Sequence, residues 1–185
     1  PCNPALIEAM GAMIVDETID PAFRALVMSL PGESEMARAL IAKDQKVDPK
    51  MLYRARQSFS DILAEQLFEL LVELYHRHLV SEHYQPNAKQ NAARKLTNAA
   101  LSYISRKDGG ALAAKQFKNA DNMTLQASAL TSLLNIGSGN SELQAFYEQW
   151  KGERLVIDRW FAMQIGAASP ETLLPIARKL TKHSD

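Results

Sequence analysis

A single cysteine, Cys2, is all this chain carries, so no internal disulfide can form and no cysteine-based zinc cluster can be built. That economy fits a reducing compartment. An excess of either charge is also missing, since twenty-one basic residues stand against twenty-one acidic ones over 185 residues. Without a net field there is no long-range pull toward phosphate backbones or anionic lipid, which argues against nucleic acid and membrane as partners. Long apolar runs are lacking as well. With 46% apolar and 23% charged residues, the composition is that of a soluble globular domain and not of a membrane span. Residues Pro1 to Met10 show neither the basic start nor the long apolar stretch of a secretory signal. Strand signals are scarce too: Leu155-Val156-Ile157 is a lone β-branched run, hemmed by Arg154 and Asp158.

Catalytic patterns are equally sparse. No Gly-x-Ser-x-Gly elbow and no Gly-x-x-x-x-Gly-Lys loop occurs, and Gly109-Gly110 ahead of Ala111-Leu112 reads as a helix start. Cys2 has no histidine ordered beside it and makes a poor nucleophile. Glu73 and His76 stand at the Glu-x-x-His spacing that serves di-iron or di-manganese bundles, yet such a bundle needs a second copy and none is present. His76 and His78, two apart, point to different faces of a helix. His83 and His183 complete the histidines. No catalytic, cofactor-binding or metal-binding residue is assigned, and the chain by itself is expected not to be an enzyme.

What is present is helical punctuation. A side-chain cap followed by proline recurs at Asn3-Pro4, Asp20-Pro21, Asp48-Pro49 and Ser169-Pro170. In each, an oxygen can accept an orphan N–H while proline, already helical in φ, takes the first helical position. After Asp48-Pro49 the residues Leu52, Ala55, Phe59, Leu63, Leu67, Leu70, Leu74 and Leu79 recur mostly every three or four positions, the period of one buried face. One helix near 49–82, about 30 residues and about 45 Å long, is expected to be the spine. Further helices are expected at 4–16, 21–30, 34–43, 88–106, 109–118, 122–136, 141–150, 154–167 and 170–182, with breaks at Pro31–Ser34, Lys107–Gly110 and Gly137–Asn140. The fold class is all-α: an irregular array of paired antiparallel helices, helical-repeat-like but without a fixed period, forming a single domain over 1–185. Basic pairs such as Arg94-Lys95 and Arg106-Lys107 read as solvated helix faces.

One stretch is more specific. Gln116-Phe117-Lys118-Asn119-Ala120-Asp121-Asn122-Met123-Thr124, the apolar helix Ala127 to Leu134, Phe146-Tyr147-x-x-Trp150 and Leu155-Val156-Ile157-Asp158-Arg159-Trp160-Phe161 together resemble the C-terminal region of bacterial aminopeptidase N. Tyr84 and Ala93 to Leu101 look like the matching upstream segments. Each piece also has a local reading. Asp121 or Asn122 can cap the next helix, and Trp150, Trp160 and Phe161 suit a core. Asp158, between apolar Ile157 and the Trp160-Phe161 pair, is expected to be partly buried and paired in a structural role.

The resemblance implies a piece of the helical C-terminal domain of a zinc-dependent, gluzincin-type metallopeptidase that removes N-terminal residues from peptides in the cytoplasm. The start at Pro1 and the end at His183-Ser184-Asp185 agree with a piece of a larger chain. In that family a His-Glu-x-x-His helix with a downstream glutamate holds zinc and a Gly-x-Met-Glu-Asn strand binds the substrate amino terminus; neither motif occurs here. Zinc is therefore expected in the parent enzyme and no cofactor in this piece. Its implied partner is the catalytic domain of the same chain, against which it packs to wall the substrate chamber. If more helices follow Leu180, the last pair is expected to leave an apolar face uncovered. The alternative is a free-standing helical adaptor whose groove binds a peptide or protein.

Overall fold

In a computed structural model, residues 3–80 and 82–185 are described; Cys2, the sole cysteine, lies outside them. Eleven helices account for the described residues, with no strand among them: α1 (Pro4–Val15), α2 (Pro21–Val27), α3 (Glu33–Ile41), α4 (Pro49–Gln66), α5 (Phe68–His78), α6 (Ala88–Asp108), α7 (Ala111–Asn119), α8 (Met123–Asn135), α9 (Asn140–Trp150), α10 (Arg154–Ala167) and α11 (Leu173–Leu180). The all-α expectation holds. The chain divides into two compact units, Pro1–Lys107 and Asp108–Asp185.

Three of the four cap-proline starts form as read. Asn3 accepts from the Ala5 N–H, Asp20 from Ala22, and Asp48 from Lys50 and Met51, each with proline inside the first turn. The fourth differs. Ser169 Oγ does accept the Thr172 N–H at 3.3 Å, and Thr172 Oγ1 accepts the Ser169 N–H at 2.9 Å, but α11 begins at Leu173. Pro175 is the reason: a helix running from Pro170 would need a Pro175 N–H for Glu171, whereas a start at Leu173 leaves that missing donor in the first turn, where none is required.

The expected single helix near 49–82 is two helices, α4 and α5, and ends at His78. They meet at Leu67, whose φ of −107° and ψ of 10° leave the helical region. Hydrogen bonds still cross the junction, Leu67 N–H to Leu63 O at 3.0 Å and Leu71 N–H to Leu67 O at 2.8 Å. The bend lets the halves serve different partners: α4 packs on α3, and α5 on α1. Buried Leu67 itself presses against α1, where a Cβ on Gly11 would sit 3.3 Å from Leu67 Cδ2.

The first unit builds its core from Ile14, Leu63, Leu71, Leu74, Leu96, Ala100, Leu101 and Ile104. Side chains of α6 fasten it to earlier helices. Tyr103 Oη donates to the Met28 carbonyl at the end of α2 at 2.5 Å, Arg106 pairs with Asp61 at 2.6 Å, and Lys107 pairs with Glu65 at 3.0 Å. Arg106 is thus half-buried against α4 and departs from the solvated face expected of the pair, whereas Lys107 stays exposed as expected, its ammonium meeting Glu65 at the surface.

The second unit is organised around α10, which packs on α8, α9 and α11, while α7 lies along α8. Its core joins Ala127, Leu130, Phe146, Trp160, Met163 and Leu180. Helix α8 ends in a Schellman motif: Gly137 at φ +73°, its N–H on Leu134 O at 3.0 Å and the Ser138 N–H on Leu133 O at 3.0 Å. Gly110, at φ +85°, approaches α8 so closely that a Cβ there would lie 2.6 Å from Leu133 Cδ2.

Candidate functional site

The Glu73–His76 pair lies on α5, where its chemistry is taken up by arginine. Glu73 accepts from Arg77, one turn along, and Arg77 also donates to Glu17 at 2.9 Å. His76 is exposed and stands edge-on to Tyr75. His78 turns inward instead: its Nε2 is buried and meets no hydrogen-bond partner among the described residues. Burial, with Arg24 and Arg77 nearby and only Glu17 opposing, pushes the His78 imidazole below its ordinary pKa. Arg24, 2% exposed, donates Nε–H to the Ile14 carbonyl at 2.6 Å and so closes the last turn of α1. Val15, Arg24, Leu70, Glu73, Leu74 and Arg77 line a cavity of about 220 Å³ there. Among the described residues no group of three His, Cys, Asp or Glu side chains is placed to hold an ion.

Arg94 departs furthest from its sequence reading. Expected on a solvated face, it is 3% exposed, while Lys95 is exposed. Its terminal nitrogens donate to Gln90 Oε1 at 3.0 Å and to the Gln85 carbonyl at 3.3 Å, and its guanidinium lies 4.7 Å from the centre of the Tyr84 ring. Gln90 completes the latch, accepting the Gln85 N–H at 2.8 Å and donating to the His83 carbonyl at 3.0 Å. Buried in this way, the charge is held by carbonyl and amide dipoles and a π-face, and the segment between α5 and α6 is fixed.

The most specific segments of the family resemblance, from Gln116 to Phe161, lie in the second unit, while the upstream ones, Tyr84 and Ala93 to Leu101, lie in the first. Asn122 caps α8 by accepting the Leu125 N–H at 3.1 Å, and Asp121 supports it by accepting from Asn122 Nδ2 at 2.7 Å. Gln116 reaches across to donate to the Leu125 carbonyl at 2.9 Å. Trp160 is buried and donates its indole N–H to the Leu143 carbonyl at 3.0 Å; Trp150 donates to Gln126 Oε1 at 3.0 Å. Tyr147, Trp160 and Phe161 surround His183 with ring centres 5.2, 5.2 and 5.4 Å away, and Tyr147 Oη donates to Asp185. These aromatics anchor a core, as the sequence suggests. Asp158 does not follow: one face of α10 buries Ile157 and Trp160, which turns Asp158 and Arg159 outward into solvent.

Two open grooves lie among the described residues. Ala22, Phe23, Leu26, Ser29, Lys95 and Ala99 line one of about 370 Å³ in the first unit. Lys115, Phe117, Lys118, Ser141, Glu142 and Ala145 line one of about 570 Å³ in the second, where Ser141 Oγ donates to Glu142 Oε2 at 2.8 Å. No helix among the described residues is long and apolar enough to cross a membrane.

Comparison with known proteins gives this arrangement a setting. A family model described as a domain of unknown function (DUF3458_C) with ARM repeats matches residues 1–185. Aminopeptidase N of Caulobacter vibrioides is 32% identical over 183 residues, 96% of this chain and 21% of its own length. Aminopeptidase N of Escherichia coli K12 is 31% identical over 182 residues, 95% of this chain and 20% of its own length. The crystal structure of Legionella pneumophila aminopeptidase A in complex with aspartic acid matches 100% of this chain and 23% of that one, with a TM-score of 0.82 and 26% identity. The chain therefore spans about a fifth of the length of the curated relatives it matches, and the matched stretch is their C-terminal part.

Proposed function

From a chain that belongs to the DUF3458_C family of ARM-repeat domains, we propose a noncatalytic helical domain of a larger zinc-dependent aminopeptidase, one that removes N-terminal residues from peptides. The observation that carries this reading is the likeness of the whole chain to one part of aminopeptidases about five times as long. Both compact units are taken as parts of one domain over 1–185. Its partner is the catalytic part of the same polypeptide, on which it packs and beside which it walls the substrate chamber. Peptides are met through that parent enzyme, with no part for nucleic acid or membrane. The parent is placed in the cytoplasm, in keeping with the single cysteine.

Zinc belongs to the parent in this reading. A catalytic zinc site needs three side-chain ligands around an open position for water, and the side chains described here do not fit that demand. No step through the metal is assigned to this chain. What the residues do instead is mechanical: α10 gathers the second unit, and the Arg94 latch fixes the segment between α5 and α6, giving a stiff wall. The test is purified 1–185 assayed for zinc content and for release of amino acids from peptides. Folded protein with neither is expected; turnover abolished by a chelator would overturn the reading.

A further inference from the structure

We propose that the outward face of α1, formed by Ala5, Leu6, Ala9, Ala12 and Met13, is the surface against which the polypeptide preceding Pro1 docks; the inference rests on the proposed function. The argument begins with the make-up of the helix. Its twelve residues, PALIEAMGAMIV, include one charge, Glu8. The inward face holds Met10, Gly11 and Ile14, all buried, with Gly11 letting Leu67 approach. The outward face carries that one charge, Glu8, along its edge beside Ala5 and Ala12 and is otherwise apolar, with Leu6 48% and Met13 41% exposed. A helix that covers a surface is normally polar on its solvent side, and one that is apolar all round belongs in an interior. The contrast with α4 is plain, since its exposed positions include Lys50, Arg54, Ser58, Asp61 and Glu65.

The occupant follows from where the rest of the polypeptide lies. The relatives match this chain over their C-terminal part and about a fifth of their length, so the bulk of such a parent stands ahead of residue 1. Asn3 and Pro4 open α1, so a chain joined ahead of them enters the fold beside this helix. The alanines at 5, 9 and 12 have no bulk to hold a packed partner away, while Leu6 and Met13 add side-chain area at the flank. A second copy of the chain is the competing occupant.

The experiment uses the parent enzyme with a photoreactive benzoyl-phenylalanine in place of Ala9. Irradiation is expected to give an intramolecular product whose peptide maps ahead of Pro1. A covalent dimer, or a product confined to residues 3–185, would overturn the inference. Because the bulky group could disturb packing, Ala9→Cys is labelled with a maleimide in parallel. It should be protected in the native parent and reactive in urea; equal rates in both would contradict the proposal. A reading frame that opens at Pro1 would overturn the proposed function itself, and this inference with it.

Discussion

The two compact units are held together by different chemistry. Every buried charge among the described residues lies in the first, at Arg24 and Arg94, and its helices are tied by ion pairs reaching from α6 to α4. In the second unit the buried polar groups are all neutral, Gln116, Gln126, Ser132 and Gln164, and the fastening is aromatic. A buried guanidinium helps only while its donors are satisfied, whereas an apolar cluster asks for volume and little else. The first unit should therefore answer to pH and salt, and the second mainly to loss of side-chain volume. Trp150 and Trp160, both in the second unit, are the only two tryptophans of the chain, so indole fluorescence follows that unit while circular dichroism follows both.

The largest effect is expected where volume is removed. Phe146→Ala empties a position with 0% exposure at the centre of the second core and should cost about 3–5 kcal/mol, read as a lower urea midpoint in the fluorescence transition. A loss below about 1 kcal/mol would mean the cluster does not carry that unit. Next comes Arg94→Met, which keeps bulk but takes the Arg94 donor from the Gln85 carbonyl and one of two donors from Gln90 Oε1. About 1–3 kcal/mol should be lost from the first unit, with faster hydrogen exchange around Tyr84 and an unmoved indole signal.

Three of the four cap-proline pairs set helix starts correctly because the cap and the first turn are local chemistry. The break at Leu67 was invisible, since a leucine there satisfies the apolar period whether or not the helix bends. The end of α3, expected at 43, comes at Ile41, and its stop is made by Asp44 at φ +53°, the left-handed position usually marked by glycine. Burial of Arg94 depends on Gln85, Gln90 and Tyr84 folding back over it, and a charge on a helix gives no sign of such a cover. The aromatic core of the second unit was legible because Trp150, Trp160 and Phe161 have few other places to go. The inward turn of His78 was not, because Arg24 is far away in sequence and reaches it only through packing.

Smaller effects sharpen the contrast. His78 is held neutral in the fold, so the unfolded chain takes up its proton first as pH falls. Its contribution is complete above the ordinary histidine value of about 6.5 and is lost as pH drops from there through the lowered folded value. Acidification through that window should lower the melting temperature of wild-type protein by circular dichroism, and His78→Gln should flatten the dependence; parallel curves would exclude His78 as the cause. The smallest change belongs to Arg106→Gln. The Arg106 side chain is 16% exposed but its partner Asp61 is 63% exposed, so the pair should be worth about 0.5–1 kcal/mol and fade in high salt. A salt-independent loss would point to packing by the Arg106 stem instead.

The gene itself offers the most direct test of the central claim: the open reading frame read on both sides of residues 1–185. A codon run encoding Gly-x-Met-Glu-Asn and His-Glu-x-x-His upstream, continuous with Pro1, is the predicted result and would make this chain the helical domain of a zinc aminopeptidase. A start codon immediately before Pro1 and a stop after Asp185 would contradict it and leave a free-standing helical protein.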